Sequence, residues 1–276
     1  MNKSKVLVIG STGKTGRRIS QQLRELGHEV RGGSRQSNPP FDWDDASTWA
    51  TALRGMDAVY ISYFPDLAVP GAPAAISELT KQAKLADVER LVLLSGRGEK
   101  HAQTCEGIVM ASGLDWTLVR ASWFNQNFHE SHLLGPVLSG VLALPAGDVS
   151  EPFVDVEDIA EVAVAALTEK GHSQKLYEVT GPRLLSFQEV AQELSTATQR
   201  KVQYVSIGSE DYRQAVAAEA GQDFADMLTD LMSEVLDGRN AKLGNGVEEA
   251  LGRKPRDFSD YCKATASTGV WRTGAE

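Results

Sequence analysis

Short apolar runs alternate with segments of helical spacing through the first half of the chain. Four runs are dominated by aliphatic and β-branched side chains, as expected of strands buried on both faces, and they span residues 6–9, 58–61, 91–94 and 116–119. Between them, apolar residues recur three or four positions apart, the spacing of an amphipathic helix. Because parallel strands need a crossover segment, this alternation predicts an α/β fold with a parallel sheet flanked by helices.

The second half has a different pattern. Helical spacing covers residues 156–167, 212–220, 224–236 and 258–266, and a capping-box pattern from Ser186 to Glu189 predicts a helix that runs to about Thr198. One short alternating run, residues 202–205, predicts a strand. The pattern therefore predicts a smaller, mainly helical C-terminal region, with no flexible linker before it.

Composition narrows the functional classes. The chain has 276 residues, 28 Lys and Arg against 37 Asp and Glu, and a formal charge of −9. This acidic balance argues against a nucleic-acid partner, since binding phosphates requires clustered basic residues. The two cysteines, Cys105 and Cys262, lack the spacing of a metal site, so we expect no metal. No run approaches the ~20 apolar residues of a membrane span, and no secretory leader is recognisable, so we expect a cytoplasmic protein without a membrane partner.

A glycine-rich loop carries the main chemical signal. Gly10, Gly13 and Gly16 follow the first predicted strand and open the first predicted helix. Glycines at this junction permit a tight turn and close approach of the backbone to a pyrophosphate, which the helix N-terminus attracts. An ordinary turn is the alternative. We predict that the whole loop binds a dinucleotide, through Gly10, Ser11, Thr12, Gly13, Lys14, Thr15 and Gly16.

Several further motifs accompany this loop, and together they resemble one family. They are the runs 8–16, 53–59, 91–95, 112–124 with Asn127, 152–158 and 177–182. The chain resembles, over almost its whole length, the NmrA-like branch of the atypical short-chain dehydrogenases/reductases. The resemblance implies a Rossmann-type parallel sheet with a C-terminal substrate region. It also implies an activity among quinone, isoflavone-type and ergot-alkaloid imine reductases, or a non-catalytic redox sensor.

This resemblance suggests a division of labour along the chain. We expect residues 1–130 to form the dinucleotide-binding region, with residues 151–180 packing back on it. Residues 131–150 and 181–276 are then expected to cover the substrate.

The residues after the second predicted strand bear on the choice of cofactor. A carboxylate there would bind the ribose of NAD, but this chain has Ser34 and Arg35 instead, and Arg35 falls where the family has its NADP-binding arginine. With Lys14 and Arg31 it forms a local basic cluster, which favours NADP(H) over NAD(H). The alternative is a solvated surface arginine.

The rest of the predicted cofactor site follows from the carboxyl ends of the strands, where α/β proteins bind ligands. The resemblance places Asp42 and Trp43 near the adenine ring. Tyr63 and Phe64 should border the adenosine, and Ser95 and Gly96 should border the nicotinamide.

The usual proton donor of short-chain dehydrogenases is missing. No Tyr-x-x-x-Lys motif follows Ser95, and Gly98 and Ala102 stand roughly where the pair would fall. Quinones and iminium ions are already electrophilic, so their reduction depends chiefly on positioning. The catalytic residue is unknown at this stage, with His101 and Ser95 as weak candidates. For His101, a surface-helix histidine is the stronger interpretation.

Substrate recognition is predicted from the segment after residue 120. The resemblance makes this the substrate-facing loop, and Trp123, Phe124 and Asn127 would offer aromatic walls with a polar group to a flat apolar ligand. We therefore predict an NAD(P)H-dependent oxidoreductase acting on an aromatic, quinone-like or imine molecule, with a homodimer left open. The alternative is an NADP(H)-binding sensor that acts through a protein partner.

Overall fold

The computed structural model describes residues 3–273. The chain divides into two compact units. The first comprises Met1–Ala121, Val156–Val179 and Gly244–Lys254, and the second comprises Ser122–Asp155, Thr180–Leu243 and Pro255–Glu276.

The strands and helices are numbered here in chain order. The strands are β1 (Lys5–Ile9), β2 (Glu29–Gly33), β3 (Ala58–Ile61), β4 (Arg90–Gly96), β5 (Asp115–Ala121), β6 (Val141–Leu144), β7 (Ser150–Glu151), β8 (Lys175–Val179), β9 (Leu185–Ser186) and β10 (Gln203–Ser206). The helices are α1 (Lys14–Glu25), α2 (Trp49–Leu53), α3 (Ala72–Leu85), α4 (Lys100–Met110), α5 (Asn127–Glu130), α6 (Leu134–Ser139), α7 (Val156–Thr168), α8 (Phe187–Thr198), α9 (Ser209–Ala220), α10 (Gln222–Val235), α11 (Gly246–Leu251) and α12 (Phe258–Ser267). A short 3₁₀ helix, Ala46–Thr48, precedes α2.

The first unit is built on a six-stranded sheet in the order β2-β1-β3-β4-β5-β8, and every pair of neighbours is parallel. Alternate residues along the strands, such as Leu7, Leu91 and Leu118, form one core with α2, α3 and α4. Helices α1 and α7 pack against each other, and α7 contacts β3, β4 and β5. The predicted α/β fold, a Rossmann-type parallel sheet flanked by helices, is confirmed.

The carboxyl ends of the strands in this unit all lie along one edge of the sheet, because the strands are parallel. Each of the loops predicted to bind the cofactor leaves the sheet at that edge, after β1, β2, β3 or β4. Segment 244–254 also belongs to this unit, and its helix α11 packs on β8 and α7. The sequence did not predict this helix.

The second unit is mainly helical, as predicted. Its two small sheets pair β6 with β10 in parallel and β7 with β9 in antiparallel orientation. The Ser186–Glu189 capping box is present at the start of α8. The core combines aliphatic side chains with an aromatic cluster that includes Phe128, Phe153 and Phe258, which contact one another at ring-centroid distances of 5.6–5.9 Å. Within residues 3–273, no helix combines the length and apolar character needed to cross a membrane.

Candidate functional site

The glycine loop connects β1 to α1 in a tight turn. Gly10 has a φ of +75°, a conformation that glycine adopts without strain, and its carbonyl accepts a hydrogen bond from the Gly13 amide at 2.9 Å. Gly16 packs on this turn so closely that a Cβ there would lie 2.2 Å from the Gly10 carbonyl oxygen. The loop therefore needs glycine at both positions, as the sequence predicted for a turn that brings a helix N-terminus against the end of a strand.

The start of α1 is suited to an anion. Gly13 is the N-cap residue and has no side chain to accept from the helix amides, and no acidic residue occupies the first turn. The aligned peptide dipoles give this end a partial positive charge, to which Lys14 adds. Thr12 and Gly13 are exposed, whereas Thr15 is buried and its hydroxyl accepts from Tyr60 at 2.9 Å. The Thr15 side chain therefore faces Tyr60 in the core, and Thr12 and Gly13 are the exposed residues of this turn.

The turn after β2 is held by its own serines. The Ser34 amide donates to Ser37 Oγ at 2.6 Å, and the Ser37 amide donates to the Ser34 carbonyl at 3.1 Å. Arg35, at the tip of this turn, is exposed. Arg31 does not share this freedom, since its guanidinium donates to the carbonyls of Ala52 and Arg54 at the end of α2, at 2.7 and 2.9 Å. The basic group left for a cofactor phosphate at this turn is Arg35.

Aromatic residues gather beyond β2 and β3. Trp43 contacts the rings of Phe41, Trp49 and Tyr63 at centroid distances of 5.0, 5.6 and 4.7 Å, and its indole donates to the Ser62 carbonyl at 3.3 Å. Partial burial, with the Asp44 charge nearby, raises the pKa of Tyr63.

Asp42 and Phe64, which were predicted to lie beside Trp43 and Tyr63, do not join this aromatic cluster. Asp42 belongs to a tight turn, in which its carboxylate accepts from the Asp44 amide at 3.2 Å. Phe64 is 69% exposed. The structure therefore brings Trp43 and Tyr63 together, as an adenine pocket would require, and leaves Phe64 projecting.

A chain of polar contacts crosses the carboxyl ends of β4, β5 and β8. Ser95 Oγ donates to Glu106 of α4 at 2.7 Å, and Arg120 donates to both oxygens of the same carboxylate, at 2.9 and 2.5 Å. Arg120 also reaches Glu178 at 3.0 Å, and Glu178 pairs with Arg97 at 3.2 Å. We call these five side chains the edge network. Ser95, Arg120 and Glu178 are register partners on adjacent strands, so they lie side by side.

The electrostatics of the edge network favour the charged forms of Arg120 and Glu178. The hydrogen bonds from Arg120 to Glu106 raise the pKa of that guanidinium, despite partial burial. Burial alone would raise the pKa of Glu178, but Arg97 and then Arg120 outweigh it and lower that pKa. The sequence analysis missed Glu106 and Glu178. One signal was available in the sequence. Glu106 follows Ala102 by four positions, on the apolar side of a predicted helix, and Arg120 follows Leu118 by two positions along a predicted strand.

Of the two catalytic candidates, Ser95 belongs to this network and His101 lies on the same helix as Glu106. Ser95 is buried, and its proton is directed at Glu106. His101 is half-buried in the first turn of α4, and Ala102 follows it on the buried face. Burial, together with the charge of Glu106, raises the pKa of the Cys105 thiol to about 12, so this thiol is a poor nucleophile at neutral pH.

The predicted substrate residues belong to the second unit. Trp123 is half-buried and packs against the aromatic core. Phe124 pairs with Val154 in a parallel bridge, and Asn127 begins α5. Asn125, which the sequence analysis did not single out, is fully buried, and neither atom of its amide has a partner within residues 3–273.

Two contacts fasten α5 to the C-terminal part of the second unit. His129 Nδ1 hydrogen-bonds with the Tyr261 hydroxyl at 2.7 Å, and the Trp271 indole donates to the Phe128 carbonyl at 2.9 Å. Across the part of the chain that the structure describes, no group of three or more His, Cys, Asp or Glu side chains is arranged to hold a metal ion.

Two family models match overlapping parts of this chain. Residues 10–170 match a family model described as NAD(P)H-binding, and residues 99–262 match the NmrA-like family model. Festuclavine dehydrogenase from Aspergillus fumigatus is 30% identical over 94% of this chain and 96% of its own length. An NAD(P)H azoreductase from Xenophilus azovorans is also 30% identical, over 95% of this chain and 98% of its own.

A solved structure is similar in fold. The NADPH-dependent quinone oxidoreductase QOR2 of Escherichia coli, solved with NADPH, superposes with a TM-score of 0.75 at 20% identity, covering 94% of this chain and 99% of that chain. This degree of identity supports a common fold.

Proposed function

Because the chain belongs to the NmrA-like family of NAD(P)H-binding proteins, we propose that it is an oxidoreductase that transfers hydride between a nicotinamide cofactor and an aromatic, quinone-like or imine-containing small molecule. The observation that carries the proposal is the glycine loop. It presents the uncapped N-terminus of α1, without an acidic residue in its first turn, at the sheet edge where such folds bind nucleotides.

The proposed division of labour assigns the cofactor to residues 1–130 and 151–180. The turn of Ser34 and Arg35, the rings of Trp43 and Tyr63, and the end of β4 at Ser95 and Gly96 follow the same edge of the sheet, in the order in which an extended dinucleotide would meet them. Residues 131–150 and 181–276 would then cover the substrate. We expect the protein to work in the cytoplasm, with a homodimer left open.

Preference for NADP(H) rests on Arg35. Its guanidinium is exposed at the tip of a turn whose backbone is held by Ser34 and Ser37, so it is available for a bidentate contact with a 2′-phosphate. Replacing Arg35 by Ala should weaken NADPH binding about 10-fold or more, the value of a charge-assisted pair, and should leave NADH binding within about twofold. Titration followed by tryptophan fluorescence measures both.

The matched control is Arg24→Ala. Arg24 is also exposed, but it lies in the last turn of α1, at the opposite end of the helix from the glycine loop. It should alter neither affinity. An equal loss of both cofactors in Arg35→Ala would assign Arg35 a structural role instead.

The proposed substrate class follows from the second unit. Half-buried Trp123, next to Phe124 and Asn127, offers an aromatic surface with one amide, which suits a flat apolar ligand. The two relatives are named for dehydrogenation of festuclavine and for reduction of azo compounds, and the similar structure is named for quinone reduction. These names support the proposed class of small-molecule substrate.

The decisive experiment follows NADPH oxidation against quinones, azo dyes and cyclic imines. We expect turnover of at least one of these classes, with a rate that saturates in both NADPH and the acceptor. Tight cofactor binding without turnover of any class would favour the second candidate, a sensor of the NADPH/NADP⁺ balance that acts through a protein partner. The observation that favours this second candidate is Ala102 on the buried face of α4, where the wider superfamily would supply part of its proton-donating pair.

A further inference from the structure

The edge network determines which way the Ser95 hydroxyl points. We propose that Glu106 is a positioning residue that holds the Ser95 proton inward, so that Ser95 can only accept a hydrogen bond at the carboxyl edge of β4 and thereby selects acceptors that carry an N–H group. This inference rests on the proposed function, which assigns the nicotinamide and its acceptor to this edge.

The position of Glu106 is over-determined. Its carboxylate is 3% exposed, and three N–H or O–H donors fill it: Ser95 on one oxygen, and two guanidinium nitrogens of Arg120 divided between both oxygens. Arg120 is held in turn by Glu178. A carboxylate clamped in this way cannot rotate, and both of its oxygens already act as hydrogen-bond acceptors.

The state of Ser95 follows from this geometry. A serine hydroxyl has one proton and two lone pairs. The 2.7 Å bond to Glu106 uses the proton, because a carboxylate can only accept. The lone pairs are then what Ser95 offers to a ligand. Ser95 is 4% exposed and is the penultimate residue of β4, so its lone pairs would meet a ligand bound against the carboxyl end of that strand.

A hydroxyl that only accepts hydrogen bonds is the opposite of what carbonyl reduction requires. A ketone oxygen gains negative charge during hydride transfer and needs a donor, which Ser95 cannot supply. A protonated imine behaves differently. The hydride leaves C4 of the dihydronicotinamide with its electron pair and bonds to the iminium carbon, while the C=N π pair becomes the lone pair of the amine nitrogen. The products are a neutral amine and a cationic nicotinamide, and no further proton is needed.

The experiment compares two iminium substrates that differ only in whether the nitrogen carries a hydrogen or a methyl group. These are 3,4-dihydroisoquinoline, at a pH where it is protonated, and N-methyl-3,4-dihydroisoquinolinium, which has no N–H. The measured quantity is the ratio of kcat/KM for the first to that for the second, with NADPH, in the wild-type protein, Ser95→Ala, Glu106→Gln and the double variant.

Glu106→Gln is the informative variant. Both oxygens of Glu106 accept from Arg120, so an amide loses one of these bonds in either orientation. In the orientation that keeps the bond from Arg120 Nη2, the NH₂ replaces the oxygen that Ser95 and Arg120 Nε share, donates to Ser95 and frees the Ser95 proton to point outward. The ratio should then fall about 10-fold or more, the value of a hydrogen bond from a charged donor. Since Glu106→Gln leaves the volume of Ser95 unchanged, relief of a steric clash with the N-methyl group cannot explain the fall. The double variant should match Ser95→Ala, because Glu106 acts through Ser95.

Thr117→Val is the control, because it removes another buried hydroxyl, which donates to the His172 carbonyl at 2.7 Å. Thr117→Val should lower the free energy of unfolding and leave the ratio of the two kcat/KM values unchanged. If Glu106→Gln unfolds, Ser95→Ala alone still tests the preference. An unchanged ratio in Ser95→Ala, or additive losses in the double variant, would overturn the inference. Failure of the wild-type protein to oxidise NADPH with either iminium ion or with any quinone or azo dye would instead count against the proposed function.

Discussion

Substituting Gly16 by Ala tests the loop geometry on which the proposed cofactor site depends. The new Cβ would lie 2.2 Å from the Gly10 carbonyl oxygen, 2.7 Å from the Gly10 carbonyl carbon and 3.0 Å from Ser11 Cα. Non-bonded contacts are comfortable near ~3.5 Å, so the loop and the helix must separate by about 1 Å. All three atoms belong to the backbone and cannot rotate away. The Gly10 carbonyl also accepts from the Gly13 amide, so this bond must distort too.

The expected cost can be estimated. Overpacking of this kind costs about 1–3 kcal/mol, and backbone partners place it toward the upper end. Replacing a helical glycine by alanine returns at most about 1 kcal/mol. The free energy of unfolding should therefore fall by about 2 kcal/mol. NADPH affinity should fall at least about 10-fold, because the amides proposed to bind the phosphates move with the loop.

Gly107→Ala is the matched control. Gly107 lies within α4, and a Cβ there would meet nothing within 4 Å, so only helix propensity changes. This variant should be about 1 kcal/mol more stable than the wild-type protein, with unchanged NADPH affinity. Urea unfolding and fluorescence titration measure the two quantities. A Gly16→Ala protein as stable as Gly107→Ala, with wild-type NADPH binding, would refute the reasoning from close approach.

Two further changes test the packing of each unit. Asp257→Asn should keep the N-cap bond to the Ser259 amide but lose the ion pair with Arg183, which lowers the pKa of Asp257. Because that pKa is lowered in the folded state, the pair stabilises fully above the unfolded pKa of about 4, and this stabilisation is lost as pH falls through the lowered pKa of the folded protein. The variant should thus be about 1 kcal/mol less stable at about pH 7, a value reduced for partial exposure, and the gap in urea unfolding should begin to narrow below about pH 4. Tyr60→Phe should cost about 1 kcal/mol by thermal or urea unfolding, because the buried Thr15 hydroxyl loses its donor; a neutral effect would mean that Thr15 finds another partner.

Much of the first unit could be predicted from the sequence because its signals are local. The runs at 6–9, 58–61 and 91–94 coincide with β1, β3 and β4, and Gly10 and Gly16 occupy the turn for which glycine is required. Strand–loop–helix signals of this kind depend on residues close together in the chain, so a single sequence contains them.

The edge network could not be predicted in the same way. Ser95 and Glu106 are 11 positions apart, Arg120 lies 14 beyond Glu106, and Glu178 follows Arg120 after 58 more. They meet because β8 pairs with β5, although residues 122–155 of the other unit separate the two strands in the chain. A charged residue on an apolar face signals that a partner exists, but identifying the partner requires the strand order.

The second unit is harder to read for a related reason. Its helices carry clear local signals, such as the capping box at Ser186. The contacts that position α5, however, connect residues far apart in the chain. Phe128 and Trp271, for example, are separated by 143 positions. If this segment lines the substrate site, as proposed, substitutions far from it in the chain can change that lining. The glycine loop, by contrast, depends on its own residues. This difference explains why the sequence indicates a cofactor class more sharply than a substrate. It also implies that substrate preference in this fold is best tested by substitutions at α5 and its distant anchors, Tyr261 and Trp271, together with the loop residues themselves.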